Sequence, residues 1–107
     1  MKVAGYIGLW RFDIENNRAE IGYVLKPECW GKGLMKEAID VIVRFAFKQM
    51  EFHSIMANVN PENNQSIKVL EKCNFKKEAY FREDYFYNGN YLDSLIFGVL
   101  YGIEQDS

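Results

Sequence analysis

Side chains that bind metals or cross-link chains are scarce in this sequence. Its 107 residues include two cysteines, Cys29 and Cys73, and one histidine, His53. The cysteines stand far apart, with no Cys-x-x-Cys spacing. No metal site is expected, and the pattern reads as a reduced protein rather than a disulfide-stapled secreted one. No apolar run is long enough to span a bilayer and no charged-then-apolar leader opens the chain, so no membrane partner and a cytoplasmic location are expected. Neither sign of charge is in excess: 13 basic side chains face 15 acidic ones, a net of -2. A general basic field for nucleic acid is therefore missing, and no nucleic-acid partner is expected. There are no repeats, no low-complexity stretches and no linker, so residues 1–107 read as a single domain. With 49% hydrophobic and 26% charged residues, the chain can bury a working core.

Strand-like and helix-like runs alternate along the chain. Val3 to Phe12 is rich in β-branched and aromatic residues with apolar groups on both faces, which predicts a strand covered on both sides. A polar turn cluster, Asp13 to Asn17, leads to a second strand, Arg18 to Leu25, antiparallel to the first because the connection is short. Leu34 to Met50 has helical periodicity at Leu34, Ala38, Ile39, Ile42, Phe45 and Ala46. Val41, Val43 and Phe47 widen that stripe, so little exposed face is expected, with Asp40 and Arg44 paired one turn apart. Ser54 to Val59 is a strand that the crossover rule makes a parallel neighbour of the second. A second helix runs from about Asn64 to Lys72, with Asn63 as N-cap and Asn74 as a left-handed C-cap. Phe75 to Tyr87 and Tyr91 to Leu100 flank Asn88-Gly89, the signal of a tight hairpin. A two-residue turn would oppose Asp84 and Asp93, so a bulge, a longer loop or a cation such as Arg82 is expected there.

The centre of this organisation is Pro27-Glu28-Cys29-Trp30-Gly31-Lys32-Gly33-Leu34-Met35, between the second strand and the first helix. First-turn N–H groups of a helix lack intrahelical partners and carry the positive end of its dipole. Glycines let an anion reach that bare backbone, so a pyrophosphate cradle is one reading and an ordinary turn the other.

Four spaced motifs together resemble the GNAT superfamily of acetyl-CoA-dependent N-acetyltransferases, most closely the Rim-type enzymes that acetylate ribosomal-protein N-termini. They are Ala19-Glu20-Ile21-Gly22-Tyr23; Trp30-Gly31-Lys32-Gly33 with Glu37-Ala38; Asn63-Asn64-Gln65-Ser66 through Val69-Leu70-Glu71-Lys72 to Phe75; and Asn88-Gly89-Asn90-Tyr91-Leu92-Asp93. The resemblance implies an α/β fold with a mixed, mainly antiparallel sheet and two flanking helices. It also implies acetyl-CoA as co-substrate, no metal, and an amine acceptor on a protein N-terminus or small molecule. Cofactor contacts would fall on Tyr23, Val24 and Leu25, where the strand splays and its backbone meets the pantetheine arm. They continue at Trp30, Gly31, Lys32, Gly33, Leu34 and Met35 around the pyrophosphate. Asn63 would touch the arm or simply cap its helix. Glu28 departs from the family's Gln or Arg and would repel a pyrophosphate unless it points away.

Acetyl transfer needs a neutral amine, a polarised carbonyl and help for the departing thiolate. A backbone N–H near Val24 or Leu25 is the natural oxyanion donor. The positions where some relatives carry a Glu base and a Tyr acid hold Asn58 and Leu70 here. Ser66 matches the Rim-type serine and is the candidate thiolate donor, with self-satisfaction by its own backbone as the plain alternative. Glu20 is the candidate base, beside Glu83, Asp84 or solvent. The resemblance lacks the family's opening strand, two helices and further strand, so an N-terminally truncated form is expected. A homo-oligomer would cover the sheet left exposed. An acyl-CoA-binding or partner-binding remnant without turnover is the alternative to an enzyme.

Overall fold

The computed structural model describes residues 5–25 and 33–102. Five strands and two helices follow in the order β1 (Gly5–Asp13), β2 (Arg18–Leu25), α1 (Leu34–Lys48), β3 (Ser54–Val59), α2 (Asn64–Lys72), β4 (Lys76–Tyr87) and β5 (Asn90–Leu100). They form one sheet in the order β1-β2-β3-β5-β4. Every neighbouring pair is antiparallel except β2 and β3, as the crossover rule requires. The expected fold class is borne out, as are the antiparallel β1–β2 pair, the parallel β2–β3 pair and the β4–β5 hairpin; the β3–β5 pair that joins the hairpin to the sheet follows from no signal in the sequence. No helix among the described residues is long and apolar enough to cross a membrane.

Both helices pack on one face of the sheet. Alternate residues of the central strands point toward them: Ala19 and Ile21 from β2, Ile55, Ala57 and Val59 from β3, and Leu95, Phe97 and Val99 from β5. From α1 the buried stripe is Met35, Ile39, Val43, Ala46 and Phe47, and from α2 it includes Leu70. The expected stripe on α1 is out of phase by part of a turn. Leu34, Val41 and Phe45 are exposed, because the helix rests on one sheet face and nothing covers its outer side among the described residues. Asp40 pairs with Lys36, at 2.8 Å, rather than with Arg44. Both arrangements are one turn apart, and sequence spacing cannot choose between them.

β1 is an edge strand, not one covered on both sides: Tyr6, Trp10 and Phe12 remain exposed while Ile7 and Leu9 reach the core. A bulge between Trp10 and Asp13, with Arg11 at φ +49°, turns Phe12 to the helix face, where it stacks on Phe52 at 5.7 Å. The turn after β1 is tied by Asp13, whose carboxylate accepts from the Asn16 backbone at 3.2 Å and side chain at 2.9 Å.

The Asn88-Gly89 turn closes the β4–β5 hairpin with both residues at positive φ, 50° and 80°, as a type I′ turn needs. The expected clash of Asp84 with Asp93 is relieved by a bulge. Phe81 pairs with Ser94 and Tyr85 with Leu92, so three residues of β4 oppose Asp93 alone. Asp93 then accepts the Glu83 backbone N–H at 2.8 Å and the Tyr80 hydroxyl. These donors, Tyr80 foremost, hold the Asp93 carboxyl below the usual range.

Asn63 caps α2, accepting the Ser66 N–H at 3.1 Å, and Asn74 ends it at φ +69°, both as expected. Between them Cys73 is buried, and its thiol donates to the Lys36 carbonyl at 3.7 Å, tying the end of α2 to the start of α1. Burial, with the Asp40 carboxylate beside it, pushes that thiol up to about 12. At pH 8.5 it should carry about a thousandfold less thiolate than an ordinary cysteine. Alkylation of the native protein at that pH is therefore expected to spare Cys73, and alkylation in concentrated urea to modify it. Equal labelling in both conditions, read by peptide mass, would show that the contact with α1 does not hold.

Candidate functional site

β2 and β3 run together for three residue pairs only: Arg18 with Ser54, Ala19 with Ile55 and Glu20 with Met56. Beyond Glu20 the strands part. From Ile21 to Leu25, β2 is held by β1 alone, and from Ala57 to Val59, β3 is held by β5 alone. Among the described residues the facing backbone edges of the two strands thus have no ladder partner there. Such edges can pair with an inserted extended chain. The splay expected at Tyr23, Val24 and Leu25 is present.

Side chains alternate across the fork. Tyr23 follows Ile21 toward the helices, and Val24 points to the open face with half its surface exposed. On the helix face, the Tyr23 hydroxyl is buried and makes no hydrogen bond of good geometry. Burial pushes this phenol up from its ordinary value, and the neighbouring Ser66 hydroxyl offsets part of that. Ser66 is itself only 4% exposed, on the first turn of α2. Two neutral hydroxyls therefore face the wedge from the helix side. Leu70, where some relatives carry a tyrosine, is fully buried in the core.

Glu20 stands on the other face. It sits at the vertex of the fork with Asn58 beyond it on β3, and both line an open cleft of about 470 Å³. Trp10, opposite Glu20 on β1, forms one wall. Its indole lies across Gly22, where a Cβ would stand 3.3 Å from the ring nitrogen, so glycine is what lets the ring settle there. Asn60, Asp84 and Tyr85 form the far wall, with the Asn60 amide donating to the Tyr85 hydroxyl at 3.4 Å. The candidates Glu20 and Ser66 are thus not brought together: they flank the fork from opposite faces.

At the open end of the fork, α1 begins at Gly33, whose φ of +75° only glycine adopts readily. Among the described residues no side chain caps this end, and the helix starts with Leu34 and Met35. Its first-turn N–H groups are available to an anion, although Leu34 and Met35 contribute backbone rather than side chains to it. Met35 is buried and Leu34 exposed. Trp30, Gly31 and Lys32, with Glu28 before them, lie outside the described residues.

Sequence reasoning identified Glu20, Tyr23, Ser66 and Asn63 but missed the cleft that Trp10, Arg11, Asn58, Asn60 and Tyr85 build with Glu20. Part of it was legible. Residues 20 and 58 are separated by one crossover and share a pleat face, but the Asp13–Arg18 register carried on without a bulge would set Trp10 against Ile21 rather than Glu20. The bulges that bring Arg11 and Asp84 in are not visible in an alternating pattern.

Comparison with known proteins agrees with this geometry. Residues 2–76 match a family model described as "Acetyltransferase (GNAT) domain". The chain is 38% identical to an uncharacterized N-acetyltransferase, p20, of Bacillus licheniformis, across 92% of this chain and 56% of that protein. It is 29% identical to the spermidine N(1)-acetyltransferase of Vibrio cholerae, across 83% of this chain and 51% of that one. Among solved structures, the ribosomal-protein-S5-alanine acetyltransferase of Vibrio fischeri superposes with a TM-score of 0.88 at 29% identity, covering 94% of this chain and 56% of that one. The chain thus spans about half the length of the curated relatives it matches.

The cap on α2 gives a direct test of how Ser66 is held. Asn63→Ala removes the acceptor of the Ser66 N–H and is expected to cost about 1 kcal/mol in urea unfolding, while Asn63→Asp, which can still accept, should cost less than half of that. Equal losses for the two would mean that the cap does not position this turn.

Proposed function

The chain belongs to the GNAT acetyltransferase family, and from that premise we propose that it takes part in moving an acetyl group from acetyl-CoA to a primary amine of a protein N-terminus or small molecule. The observation that carries this reading is the fork: two parallel strands that separate after Glu20, with an uncapped helix N-terminus at its open end. An extended thioester arm fits the free edge of β2, and a pyrophosphate fits the first turn of α1. Relatives named for a ribosomal-protein alanine and for spermidine support an amine as acceptor.

Each group then has a role set by its face. A β2 backbone N–H near Val24 or Leu25 donates to the thioester carbonyl oxygen as charge builds there. The acceptor nitrogen approaches from the open face, losing a proton to Glu20 or to water in the cleft. The new C–N bond forms as the C–S bond breaks. Ser66, on the helix side, donates a hydrogen bond to the departing sulfur, with the Tyr23 hydroxyl behind it. Burial keeps Tyr23 protonated at neutral pH, so it can donate and does not compete for the proton. The second reading, a binding protein without turnover, is favoured by Asn58 and Leu70 standing where some relatives carry a base and an acid. An open face bearing Tyr6 and Val24 would suit association with a second copy.

Saturating acetyl-CoA, at a hundredfold its dissociation constant, should stabilise the fold by about 2.7 kcal/mol. That is a rise in midpoint of roughly 10–20 °C for a domain this small. Gly33→Glu should erase the rise and Gly33→Asn should keep most of it, since asparagine tolerates the left-handed backbone without adding charge. No rise in the unaltered protein would sink the reading. Once an acceptor is found, Ser66→Ala is expected to lower kcat by about tenfold or more with the acetyl-CoA affinity nearly unchanged. An unaltered kcat would remove Ser66 from the reaction.

A further inference from the structure

The open-face cleft already holds a cation. Arg11 reaches into it from the β1 bulge, with its guanidinium carbon 4.4 Å from the centre of the Trp10 ring and one nitrogen 3.7 Å from the Glu20 carboxylate. Glu20 is well covered, its side chain 19% exposed, whereas Arg11 is 62% exposed. The carboxylate is therefore part of the wall, and the guanidinium is a loosely held occupant. At 3.7 Å the contact is an ion pair rather than a hydrogen bond, and pairs this open to water are weak. Asp84 adds a second carboxylate across the cleft, while Asn58, Asn60 and Tyr85 offer neutral acceptors between the two. An aromatic face and a shielded carboxylate are what a positive group needs.

We propose that this cleft seats a second positive charge of the acceptor, and that Arg11 is its built-in competitor. The inference rests on the transferase reading and narrows it. The acceptor is an amine carrying another cationic group a short chain away from the reacting nitrogen. Arg11 sets the discrimination: an acceptor with one charge gains too little to displace it, and an acceptor with two gains Glu20, Asp84 and the Trp10 ring for its second charge. Its reacting nitrogen then loses its proton to water in the cleft rather than to Glu20. The bulge matters because it leaves Arg11 on a short, fixed tether. Its backbone at φ +49° is one that glycine adopts more easily, so Arg11→Gly removes the competitor without straining the strand.

The test uses two probes of equal length, 1,4-diaminobutane and n-butylamine, titrated into the whole chain. The Trp10 indole N–H proton is followed by NMR and assigned by its loss in Trp10→Phe. The diamine is expected to shift that signal saturably and to bind more tightly than the monoamine. Arg11→Gly should tighten diamine binding by about two- to fivefold, the range an exposed ion pair allows. Glu20→Gln should weaken it by about tenfold or more, because a charged partner is lost. Equal affinity for the two probes, or diamine affinity unchanged in Arg11→Gly, would overturn the proposal. The unfolding midpoint of each variant is measured alongside, and Arg11→Ala serves as the second variant. Stabilisation by acetyl-CoA in the same samples separates the two readings. If acetyl-CoA stabilises and the diamine does not discriminate, the cation seat falls alone. If the diamine discriminates and acetyl-CoA does not bind, the seat stands and the transferase reading falls.

Discussion

Three residue pairs between β2 and β3 constrain the rest of the molecule. A parallel pair this short cannot hold a sheet together, and beyond it each strand leaves one backbone edge unpaired. The fork stays open because each arm is gripped from its outer side. The β1 ladder runs on to Leu25 along one arm, and β5 follows β3 to Val59 along the other. On the helix face the wedge is packed: Ile21 and Ala57 are buried in the core, against which Ile67 and Val69 of α2 also pack. A parallel sheet that closed would bury these edges and remove the site. Among the described residues the fold instead leaves polar backbone inside the sheet without a ladder partner, where an extended ligand can satisfy it.

That opening also separates the chemistry into two faces. Ser66 and Tyr23 belong to the dry, helix-packed side, where burial keeps hydroxyls neutral and able to donate. Glu20 belongs to the wet side, at the head of a cleft with Asn58 and Asp84 around it. A carboxylate on the helix side would pay a large desolvation cost, and a donor hydroxyl in the cleft would compete with water. Strand alternation enforces the division: positions 20 and 23 differ by an odd number, so no register of β2 puts both on one face.

Much of this could be read from residue order. The hairpins, the crossover and both asparagine caps follow from local chemistry: Asn88-Gly89 dictates its own turn, and Asn63 and Asn74 each suit one backbone conformation. Other features were out of reach because they depend on what lies across the sheet. The phase of α1 could not be fixed, since Leu34, Val41 and Phe45 are as apolar as the residues that are buried, and only the one-sided packing decides among them. β1 reads as a doubly covered strand for the same reason: its sequence is apolar on both faces, and its place at the sheet edge is a tertiary fact. The Asp84–Asp93 conflict announced an irregularity, but not that Tyr80 and the Glu83 backbone would resolve it by converging on Asp93. In the candidate site, Glu20 and Ser66 were legible singly, while their placement on opposite faces required the register.

The two strand irregularities have a common effect that neither shows alone. One lies at Arg11 in β1 and the other around Glu83 in β4, both marked by non-glycine residues at positive φ, 49° and 48°. Such conformations cost of order 1 kcal/mol or more each and persist where the surroundings fix them. They sit on opposite edges of a five-stranded sheet, yet each delivers a charge to the same cleft: Arg11 from one side, Asp84 from the other. A regular ladder at either place would change which side chains of that strand face the cleft. The Asp84–Asp93 repulsion gives the second bulge a local cause. The first bulge has a packing counterpart instead, since it turns Phe12 onto Phe52 at the helix face while Arg11 is turned into the cleft.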